Sequence, residues 1–533
     1  MMKAVRAGSV IELTEDTMKD WEGPVHYLTH FPVLKPGSTT TKVRIVANSK
    51  MKNQNTKLSL NDVVEPGPNS LNPLLEVLIL FRGLEVGLLF DLCKAYQQLK
   101  TGEMERHLRR FVYRTSPDQS WKIYCYVRVT FGDVVAALCL ELAKKFIADL
   151  GECIDQLASE RIKDATYVDD HLGGGQPEEV ERMRGQPRPE GGFSGTMYQI
   201  LENCGFDTNH MIMTGDCSDE EVEALGGTVL GIPFRPKEDE FVMKIVPIVV
   251  IEGKKRKKKT AVLTKPDVDA MQKGNKKLTK RMVLSMVMTQ YDPLGLVAPL
   301  MIRAKILLRR LYGPVQLDWD DQLPSEETRA WTDFMRDMMK MKPITFRRSA
   351  RPVGAVGIPW LIGFCDGSLS AFGIAIYLLW MLRWCPDGPP AIERKATLLI
   401  AKSRVAPVHG TTVPRMELQA LTVLSRMMNT VARALPCKAE RALLIGDSEC
   451  VIASLSKTSG SLGPYFTNRI AEIHENISLL KESVGEVEPV WHVPGQLNPA
   501  DLGTRGHATP DEVEHGSVWQ EGSRFLVDRK RDE

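Results

Sequence analysis

The stretch Tyr167-Val168-Asp169-Asp170 places two adjacent carboxylates between short apolar segments. Residues 162–166 precede it and His171-Leu172-Gly173 follows it, a pattern typical of a β-hairpin whose turn presents both acids. Two like charges about 4 Å apart repel by roughly 4 kcal/mol at an effective dielectric constant near 20, unless a cation separates them or one is protonated. Mg²⁺ prefers oxygen ligands of this kind. The alternative for an isolated Asp-Asp pair is a solvated turn.

A third acid, Asp91, follows the apolar run of residues 86–90. We expect it where a buried strand reaches solvent. Three carboxylates could hold two divalent ions, which lower the barrier of an in-line phosphoryl transfer by activating the attacking oxygen and stabilising the leaving one. This is the chemistry that a polymerase uses.

Four acids in the C-terminal part also stand at the ends of predicted elements. We predict strands at residues 360–365, 372–382, 396–402, 442–445 and near Val490, and helices from Pro414 and after Asp447. Asp366 and Asp447 then end strands, Glu417 lies in the first turn of a helix, and Asp501 precedes one. This alternation indicates a mixed sheet flanked by helices. Each acid taken alone could be a helix cap or a surface residue.

Three segments occur in the order and spacing of the palm motifs of reverse transcriptases: residues 90–99 (Phe-Asp-Leu-Cys-Lys-Ala-Tyr-Gln-Gln-Leu), Val129-Thr130-Phe131-Gly132, and Tyr167-Val168-Asp169-Asp170. More closely, the chain resembles the Pol region of BEL/Pao-type LTR retrotransposons from about residue 23 to 526. Further matching segments are residues 34–46, Ser59-Leu60-Asn61-Asp62, Gly67-Pro68-Asn69, and residues 291–296, 403–407, 413–418 and 498–502.

The resemblance implies an α+β and α/β multidomain fold, with right-hand polymerase fingers and palm, a helical thumb or connection, and an RNase H-like mixed sheet flanked by helices. We expect fingers and palm over residues 1–215, thumb and connection over 216–345, and the RNase H-like domain over 346–510. Residues 511–533 would be a tail toward a missing integrase, since Trp519-Gln520-Glu521-Gly522 resembles the segment before integrase.

For the polymerase, the resemblance implies that Asp91, Asp169 and Asp170 hold the catalytic metals. Tyr96 resembles the aromatic gate that excludes a ribose 2′-hydroxyl, and Phe131 and Gly132 would line the nucleotide pocket. Lys42 and Arg44 resemble the cations that grip the triphosphate; their alternative is two exposed strand residues. The chain departs from the family after Gly132, where Asp133-Val134-Val135 replaces the usual Ser-Pro.

Asp366, Glu417, Asp447 and Asp501 resemble the catalytic and metal-binding set of RNase H, which cuts the RNA strand of an RNA–DNA hybrid with two metal ions. The resemblance implies two Mg²⁺ per active site, with Mn²⁺ as a substitute. His492 could shuttle protons or simply lie on a strand face. The implied partners are RNA template, DNA primer, RNA–DNA hybrid, deoxynucleoside triphosphates and other segments of a Pol polyprotein, with no membrane. The implied locations are the cytoplasm, in a virus-like particle, and also the nucleus.

Composition agrees with a folded, multidomain protein. The 533 residues are 43% hydrophobic and 26% charged, with a net charge of only +2, so nucleic acid would have to be attracted by a local patch. The ten cysteines lie at least thirteen positions apart, which excludes a C-x-x-C zinc site and suits a reducing compartment. No secretory signal or membrane-spanning run is visible.

Residues 254–281 contain twelve basic and two acidic residues. This density predicts an extended, solvated linker; the alternatives are a nucleic-acid contact and a nuclear-import signal. Beyond it, we predict helices at residues 280–289 and 297–311, separated by Asp292-Pro293-Leu294-Gly295.

The sequence therefore favours an RNA-directed DNA polymerase with RNase H activity. One alternative is a decayed retroelement relic that only binds nucleic acid. Another is an unrelated metal-dependent nuclease, which would account for the second set of acids but not for Tyr96.

Overall fold

The structure, a computed structural model, describes residues 1–34, 43–208, 210–252, 258–313, 317–384, 391–457 and 462–527. The chain divides into two compact units: residues 1–74 with 88–212, and residues 75–87 with 213–533. Each unit mixes helices and sheets, in agreement with the predicted α/β fold class. No helix within these ranges has the length and apolar character needed to cross a bilayer.

The elements up to residue 213 are α1 (Met2–Arg6), β1 (Val10–Glu12), α2 (Glu15–Lys19), β2 (His30–Leu34), β3 (Val43–Ala47), α3 (Leu60–Val63), α4 (Leu74–Gly83), β4 (Val86–Asp91), α5 (Ala95–Gln98), α6 (Glu103–His107), β5 (Arg110–Tyr113), β6 (Lys122–Tyr126), α7 (Ala136–Gly151), α8 (Gln156–Asp164), β7 (Thr166–Tyr167), β8 (Asp170–Gly175), α9 (Pro177–Arg184), α10 (Thr196–Asn203) and β9 (Ile212–Met213). The strands form three sheets, with the orders β1-β6-β5, β2-β3 and β7-β8-β4-β9.

The sheet β7-β8-β4-β9 carries the first set of acids. Residues 87–90 of β4 are buried while Asp91 is exposed, as the apolar run predicts. A two-residue turn joins β7 to β8, because Tyr167 pairs with Asp170. The predicted hairpin is present, although residues 162–164 end helix α8 and are not part of its first strand. Burial of Ile162 and the capping carboxylate of Asp155 favour the helix there.

Helix α4 lies almost entirely in the second unit, and residues 77–83 are all buried. Its Arg82 is 1% exposed and donates hydrogen bonds to the carbonyl oxygens of Arg347 (3.0 Å), Arg348 (3.1 Å) and Leu399. Arg348 is 0% exposed; it donates to the carbonyl oxygen of Leu84 (2.8 Å) and pairs with Asp239 (2.6 Å). Both buried guanidinium groups are therefore well supplied with acceptors, which burial of a charge requires.

The remaining elements are α11 (Asp219–Leu225), β10 (Thr228–Val229), β11 (Ile232–Arg235), β12 (Glu240–Met243), β13 (Ile248–Glu252), β14 (Lys258–Val262), α12 (Lys265–Gln272), α13 (Lys280–Met288), α14 (Ala298–Arg310), α15 (Ser325–Lys340), β15 (Ile344–Arg347), β16 (Ala355–Gly367), β17 (Ala371–Trp384), β18 (Ala391–Val405), α16 (Val413–Ala434), β19 (Arg441–Gly446), α17 (Glu449–Ser454), α18 (Pro464–Ser483), β20 (Glu486–Val487), β21 (Trp491–His492), α19 (Leu502–Arg505) and α20 (Val518–Glu521). Short 3₁₀ helices cover Gly495–Leu497, Pro499–Asp501, Pro510–Glu512 and Arg524–Leu526.

The largest sheet carries the second set of acids and has the order β18-β17-β16-β19-β20, with β21 also pairing with β19. Strands β16, β17 and β18 are antiparallel, whereas β19 runs parallel to β16. Helix α16 packs on β16 and β17 and against α18. The predicted mixed sheet flanked by helices is confirmed, and its strands extend beyond the predicted limits. Helix α18 is not predicted by the sequence reasoning.

The pair of helices α13 and α14 is confirmed, with the break where the sequence predicts it. The carboxylate of Asp292 accepts hydrogen bonds from the backbone amides of Leu296 and Val297, each at 2.9 Å. Gly295 adopts φ +68°, and a Cβ there would lie 1.9 Å from the carbonyl oxygen of Ala401. The break therefore needs both a capping acid and a glycine.

The prediction of an extended linker is wrong for residues 258–281. Strand β14 pairs with β13, and α12 begins with a capping box formed by Thr264 and Asp267. Lys276 forms an ion pair with Asp267 at 2.6 Å, and the Lys280 ammonium lies 3.8 Å from the centre of the Tyr312 ring. Lys276 and Lys280 are compatible with ordered elements because their charges find partners within the same unit.

The residues around Trp519 pack into the second unit. Trp519 is 0% exposed, and its indole nitrogen donates to the carbonyl oxygen of Leu296 at 2.7 Å. The Trp519 carbonyl oxygen accepts from the Tyr377 hydroxyl at 2.9 Å. A segment predicted as a tail thus contributes to the core.

Candidate active sites

Asp91, Asp169 and Asp170 meet at the edge of the sheet β7-β8-β4-β9. Each offers a carboxylate oxygen, and these three oxygens lie within 4.8 Å of one another. The backbone amide of Leu92 donates to the carbonyl oxygen of Asp169 at 3.0 Å, which joins the end of β4 to the turn of the hairpin. Within the described part of the chain, no other three Asp, Glu, His or Cys residues meet this distance limit. All three candidate metal ligands are carboxylate oxygens, so the set fits Mg²⁺.

The turn that presents two of these acids contains an unusual backbone conformation. Val168 adopts φ +55°, in the left-handed region that β-branched residues rarely occupy. Such a conformation persists only where the surrounding structure enforces it, and it is concentrated at functional sites. Here it lets Val168 and Asp169 form the turn between β7 and β8 that presents the two acids.

The carboxylates influence the titration of their neighbours. Burial, followed by the charge of Asp169, raises the pKa of Asp170 to about 6. Burial, followed by the same charge, raises the pKa of Tyr96, which places this ring near the acids. The positive charge of a divalent cation would offset the repulsion and so favour the ionised carboxylates.

A buried histidine supports the hairpin from behind. The ring of His171 stacks on that of Phe90, with centroids 4.3 Å apart and an interplanar angle of 15°. Its Nδ1 lies 2.9 Å from the Thr166 hydroxyl. Burial is the main cause that lowers the pKa of His171 to about 3, so the ring is neutral. His171 therefore contributes packing directly behind Asp170.

The predicted nucleotide-binding residues are placed as follows. Tyr96, on α5, meets Phe131 edge to face, with ring centroids 5.2 Å apart and an interplanar angle of 87°. Gly132 follows with φ +110°. Arg44 lies in strand β3, opposite Val33. Lys42 lies outside the described residues.

The second set of acids gathers at one edge of the largest sheet. Asp366 is the second-last residue of strand β16, and Asp447 directly follows β19. Since these strands are parallel, their carboxyl ends meet at the same edge. Glu417 is the fifth residue of α16, so the prediction that it lies in the first turn is wrong by one residue. Gly367 allows the helix to approach, because a Cβ there would lie 2.3 Å from the Glu417 nitrogen. Asp366, Glu417 and Asp447 line one small cavity.

Asp501 belongs to the same cluster electrostatically. Burial is the main cause of the raised pKa values of Asp366 and Asp447, and the charge of Asp501 raises both further. Burial, together with Asp447, raises the pKa of Glu417. The side chain of Asp501 is paired with Arg505. The cluster is therefore a concentration of negative charge that a cation would stabilise.

Sequence reasoning missed three groups that orient these acids. The Ser448 hydroxyl donates to Glu417, and the Thr504 hydroxyl donates to Asp366. The Asn498 amide donates to the carbonyl oxygen of Cys365 at 2.9 Å. Ser448 could have been noticed as the cap of α17, directly after Asp447. The exposed His492 lies on strand β21, with its Nε2 3.2 Å from the Asp447 carbonyl oxygen.

Comparison with known families finds a match for the part of the chain that contains three acids of the second site. Residues 279–448 match the family model described as the Pao retrotransposon-like RNaseH-like domain. This segment contains Asp366, Glu417 and Asp447 and ends before Asp501. The resemblance to a BEL/Pao-type Pol region is thereby confirmed. No curated protein matches the chain.

Several solved structures are similar to this one. The foamy viral protease-reverse transcriptase dRH in complex with double-stranded DNA has a TM-score of 0.49 and 14% identity, covering 91% of this chain and 68% of that chain. The foamy viral protease-reverse transcriptase with double-stranded DNA has a TM-score of 0.44 and 13% identity, covering 89% and 78%. The same viral protein with RNA/DNA hybrid has a TM-score of 0.37 and 11% identity, covering 91% and 73%.

Proposed function

Because the chain carries a Pao retrotransposon-like RNaseH-like domain, we propose that it is an RNA-directed DNA polymerase that also degrades the RNA strand of RNA–DNA hybrids. The observation that carries the polymerase part is the meeting of Asp91, Asp169 and Asp170 within 4.8 Å. The fold brings Asp91 to the adjacent acids Asp169 and Asp170, from which it is distant in sequence, and such a group of carboxylates beside an aromatic ring is what a nucleotidyl-transfer site requires.

In the polymerase site, Asp91, Asp169 and Asp170 would hold two Mg²⁺ ions, with Mn²⁺ as a substitute. When bound, these ions would activate the primer 3′-hydroxyl and stabilise the pyrophosphate that leaves. The 3′-hydroxyl would lose its proton to solvent, and its oxygen would form a bond to the α-phosphorus as the bond from that phosphorus to the pyrophosphate oxygen breaks. The protein's own part is to position the reacting groups, which is the main source of catalysis in phosphoryl transfer.

The nucleotide would be selected by Tyr96, whose ring would exclude the 2′-hydroxyl of a ribonucleotide. Phe131 meets this ring edge to face. Gly132, which has no Cβ, lets the backbone approach the carbonyl oxygen of Ala47 in strand β3. Lys42 and Arg44 would grip the triphosphate. In this proposal, residues 1–215 form fingers and palm and the helices from α12 to α15 belong to the thumb and connection.

In the second site, Asp366, Glu417, Asp447 and Asp501 would hold two metal ions against the RNA strand. The substrate would be recognised by the A-form-like shape of the hybrid and by the RNA 2′-hydroxyls. The raised pKa values of Asp366 and Asp447 support a metal site, because a bound cation would restore the ionised forms that burial disfavours.

The test is incorporation of dTTP on poly(rA)·oligo(dT) with Mg²⁺, together with cleavage of a labelled RNA–DNA hybrid. We expect Asp169→Asn combined with Asp170→Asn to abolish incorporation and leave cleavage intact. Asp366→Asn should do the reverse. The matched control is Asp149→Asn, an exposed helical acid paired with Lys163, which should leave both activities unchanged.

Equal activity in the wild type and the site variants would contradict the proposal. Absence of both activities in the wild type, with RNA binding retained, would indicate the nucleic-acid-binding relic. Salt dependence of that binding would then report how many phosphates the protein contacts.

A further inference from the structure

Asp133 stands directly after Phe131-Gly132, where the sequence departs from the reverse transcriptase pattern. Its side chain is 2% exposed and accepts a hydrogen bond from Nε of Arg109 at 2.8 Å. It also accepts from the Ser49 hydroxyl at 2.6 Å. The Arg109 side chain is 6% exposed and donates through Nη1 to the Glu105 carbonyl oxygen at 2.9 Å. Asp133, which stands where the reverse transcriptase pattern has the neutral Ser-Pro, thus forms a buried, hydrogen-bonded ion pair.

A second contact holds the backbone of the same turn. The Asn61 side chain donates to the carbonyl oxygen of Gly132 at 2.9 Å and accepts from the amide of Val134 at 3.0 Å. The Asn61 backbone amide in turn donates to the carbonyl oxygen of Ser49 at 3.0 Å. Ser49 is therefore connected to both contacts, through its hydroxyl and through its carbonyl.

Asn61 is itself held in place. Helix α3 begins with a capping box in which Ser59 and Asp62 exchange hydrogen bonds with the backbone, and Leu60 is 1% exposed. The segment Ser59-Leu60-Asn61-Asp62, which the resemblance singled out without a role, therefore presents one amide side chain to residues 132–134. The side chains of Ser59, Leu60 and Asp62 hold Asn61 in this position.

The third contact comes from strand β3. Gly132 adopts φ +110°, and a Cβ at this position would lie 2.5 Å from the carbonyl oxygen of Ala47. The turn is thus enclosed by β3, by α3 and by the Arg109–Asp133 pair. Phe131, the residue directly before this enclosed turn, meets the ring of Tyr96 edge to face.

We propose that Asp133 and Asn61 are positioning residues that hold Phe131 and Gly132 against Tyr96 and so set how strictly the chain rejects ribonucleotides. The proposal rests on the proposed polymerase function. Neither residue touches the nucleotide; both act through the two rings. A gate that excludes one hydroxyl by steric contact works only if its ring cannot retreat, and a displacement of less than an ångström would admit the larger sugar.

Retention of a buried ion pair agrees with this role. Two charges removed from water stabilise a fold poorly compared with well-packed apolar residues, but they can fix one conformation. The alternative is that these hydrogen bonds of Asp133 and Asn61 only stabilise the fold. The experiment must therefore include a readout that a loss of stability alone would not change.

The readout is the ratio of kcat/KM for dTTP to kcat/KM for UTP on poly(rA)·oligo(dT), since both nucleotides pair with the same template. The first variant is Asn61→Ala, which removes two hydrogen bonds from a half-buried position and leaves the ion pair intact. The second is Asp133→Asn, which removes the charge. We expect each to lower the ratio roughly ten- to hundredfold, mainly through a lower KM for UTP, with kcat for dTTP largely retained.

The matched control is Asp155→Asn. Asp155 also accepts from an arginine and a hydroxyl, Arg182 at 2.8 Å and Thr196 at 2.7 Å, and it lies in the same unit. Asp155→Asn should lower the unfolding temperature without changing the nucleotide ratio. If the Asp133→Asn protein does not fold, Asn61→Ala decides the question alone.

The outcomes separate the two proposals. A wild type that incorporates dTTP, with unchanged ratios in Asn61→Ala and in any folded Asp133→Asn protein, overturns this inference alone. A ratio that falls equally in Asp155→Asn also overturns it, because the effect would then be general destabilisation. A wild type that incorporates neither nucleotide overturns the polymerase function and this inference with it.

Discussion

The amide of Leu92 donates a hydrogen bond of 3.0 Å to the carbonyl oxygen of Asp169. This backbone contact joins residues that lie far apart in sequence and, together with the pairing of β4 with β8, holds Asp91 beside the turn that carries Asp169 and Asp170. The three acids therefore depend on the geometry of a two-residue turn, and changes in that turn should be measurable.

Val168→Gly should raise the free energy of unfolding by up to about 1 kcal/mol. The strain of a non-glycine residue at φ +55° costs about 1–3 kcal/mol, and the greater flexibility of glycine in the unfolded chain offsets part of the gain. Urea denaturation measures the difference. Val168→Ala is the control, because alanine keeps the strain and should show no gain; a large loss of stability in Val168→Gly would contradict the argument.

The raised pKa of Asp170 predicts opposite pH dependences with and without metal. Its folded-state pKa of about 6 exceeds the ordinary value of 3.8. In the metal-free protein, Asp170 therefore contributes fully to the stability of the folded state below pH 3.8, and this contribution is lost as the pH rises through 6. The shift corresponds to at most about 3 kcal/mol.

Thermal unfolding with and without Mg²⁺ at pH 5 and pH 7.5 tests this, since Mg²⁺ needs the ionised carboxylate. We expect the stabilisation by Mg²⁺ to be larger at pH 7.5. Asp170→Asn should reduce the pH-dependent part, with the remainder coming from the second site, where the pKa of Asp366 is raised to about 7; a Mg²⁺ effect that is equal at both pH values would refute the assignment.

Ser448→Ala and Thr504→Val should each weaken hybrid cleavage by roughly 10–100-fold, the usual effect of removing a group that orients a metal ligand. Each variant removes one hydroxyl that donates to an acid of the second site. Primer extension should be unchanged. Ser456→Ala is the matched control, because its hydroxyl donates only to a helix carbonyl; equal losses in the control and in the two site variants would speak against the orienting role.

Trp519→Ala should lower the free energy of unfolding by about 3–5 kcal/mol, because it leaves a cavity where a fully buried indole lay. It also leaves the Leu296 carbonyl oxygen without its donor. Chemical denaturation measures the loss. Trp491→Ala, at a 50% exposed position, should cost far less; similar losses would mean that the last residues do not pack as described.

Much of the fold could be predicted because the signals are local. Continuous apolar residues predicted β17, and the Asp292-Pro293-Leu294-Gly295 segment predicted the break between α13 and α14. Helix α18 escaped prediction because only Ile470, Ile473 and Leu480 of its 20 residues are buried, which leaves a weak periodic pattern. The lysine-rich run concealed β14, because the density of like charges hid the antiparallel pairing of this strand with β13.

The acids of the sites were predictable from motif order and spacing, whereas the groups that orient them were not. Thr504 reaches Asp366 across 138 positions, and Asn61 reaches Gly132 across 71. No periodic or compositional signal marks such a pair. Only the folded chain brings the donor to its acceptor.

Most of helix α4 belongs to the second compact unit, and this affects how the protein can be divided. A gene fragment that stops at residue 215 would encode Val77, Leu78, Ile79 and Phe81 without the residues that shield them from water, and it would lack Arg348, whose guanidinium binds the end of the helix. Such a fragment should aggregate when expressed alone. Residues 75–87 should therefore be expressed together with the residues from 213 onward, with which they form one compact unit.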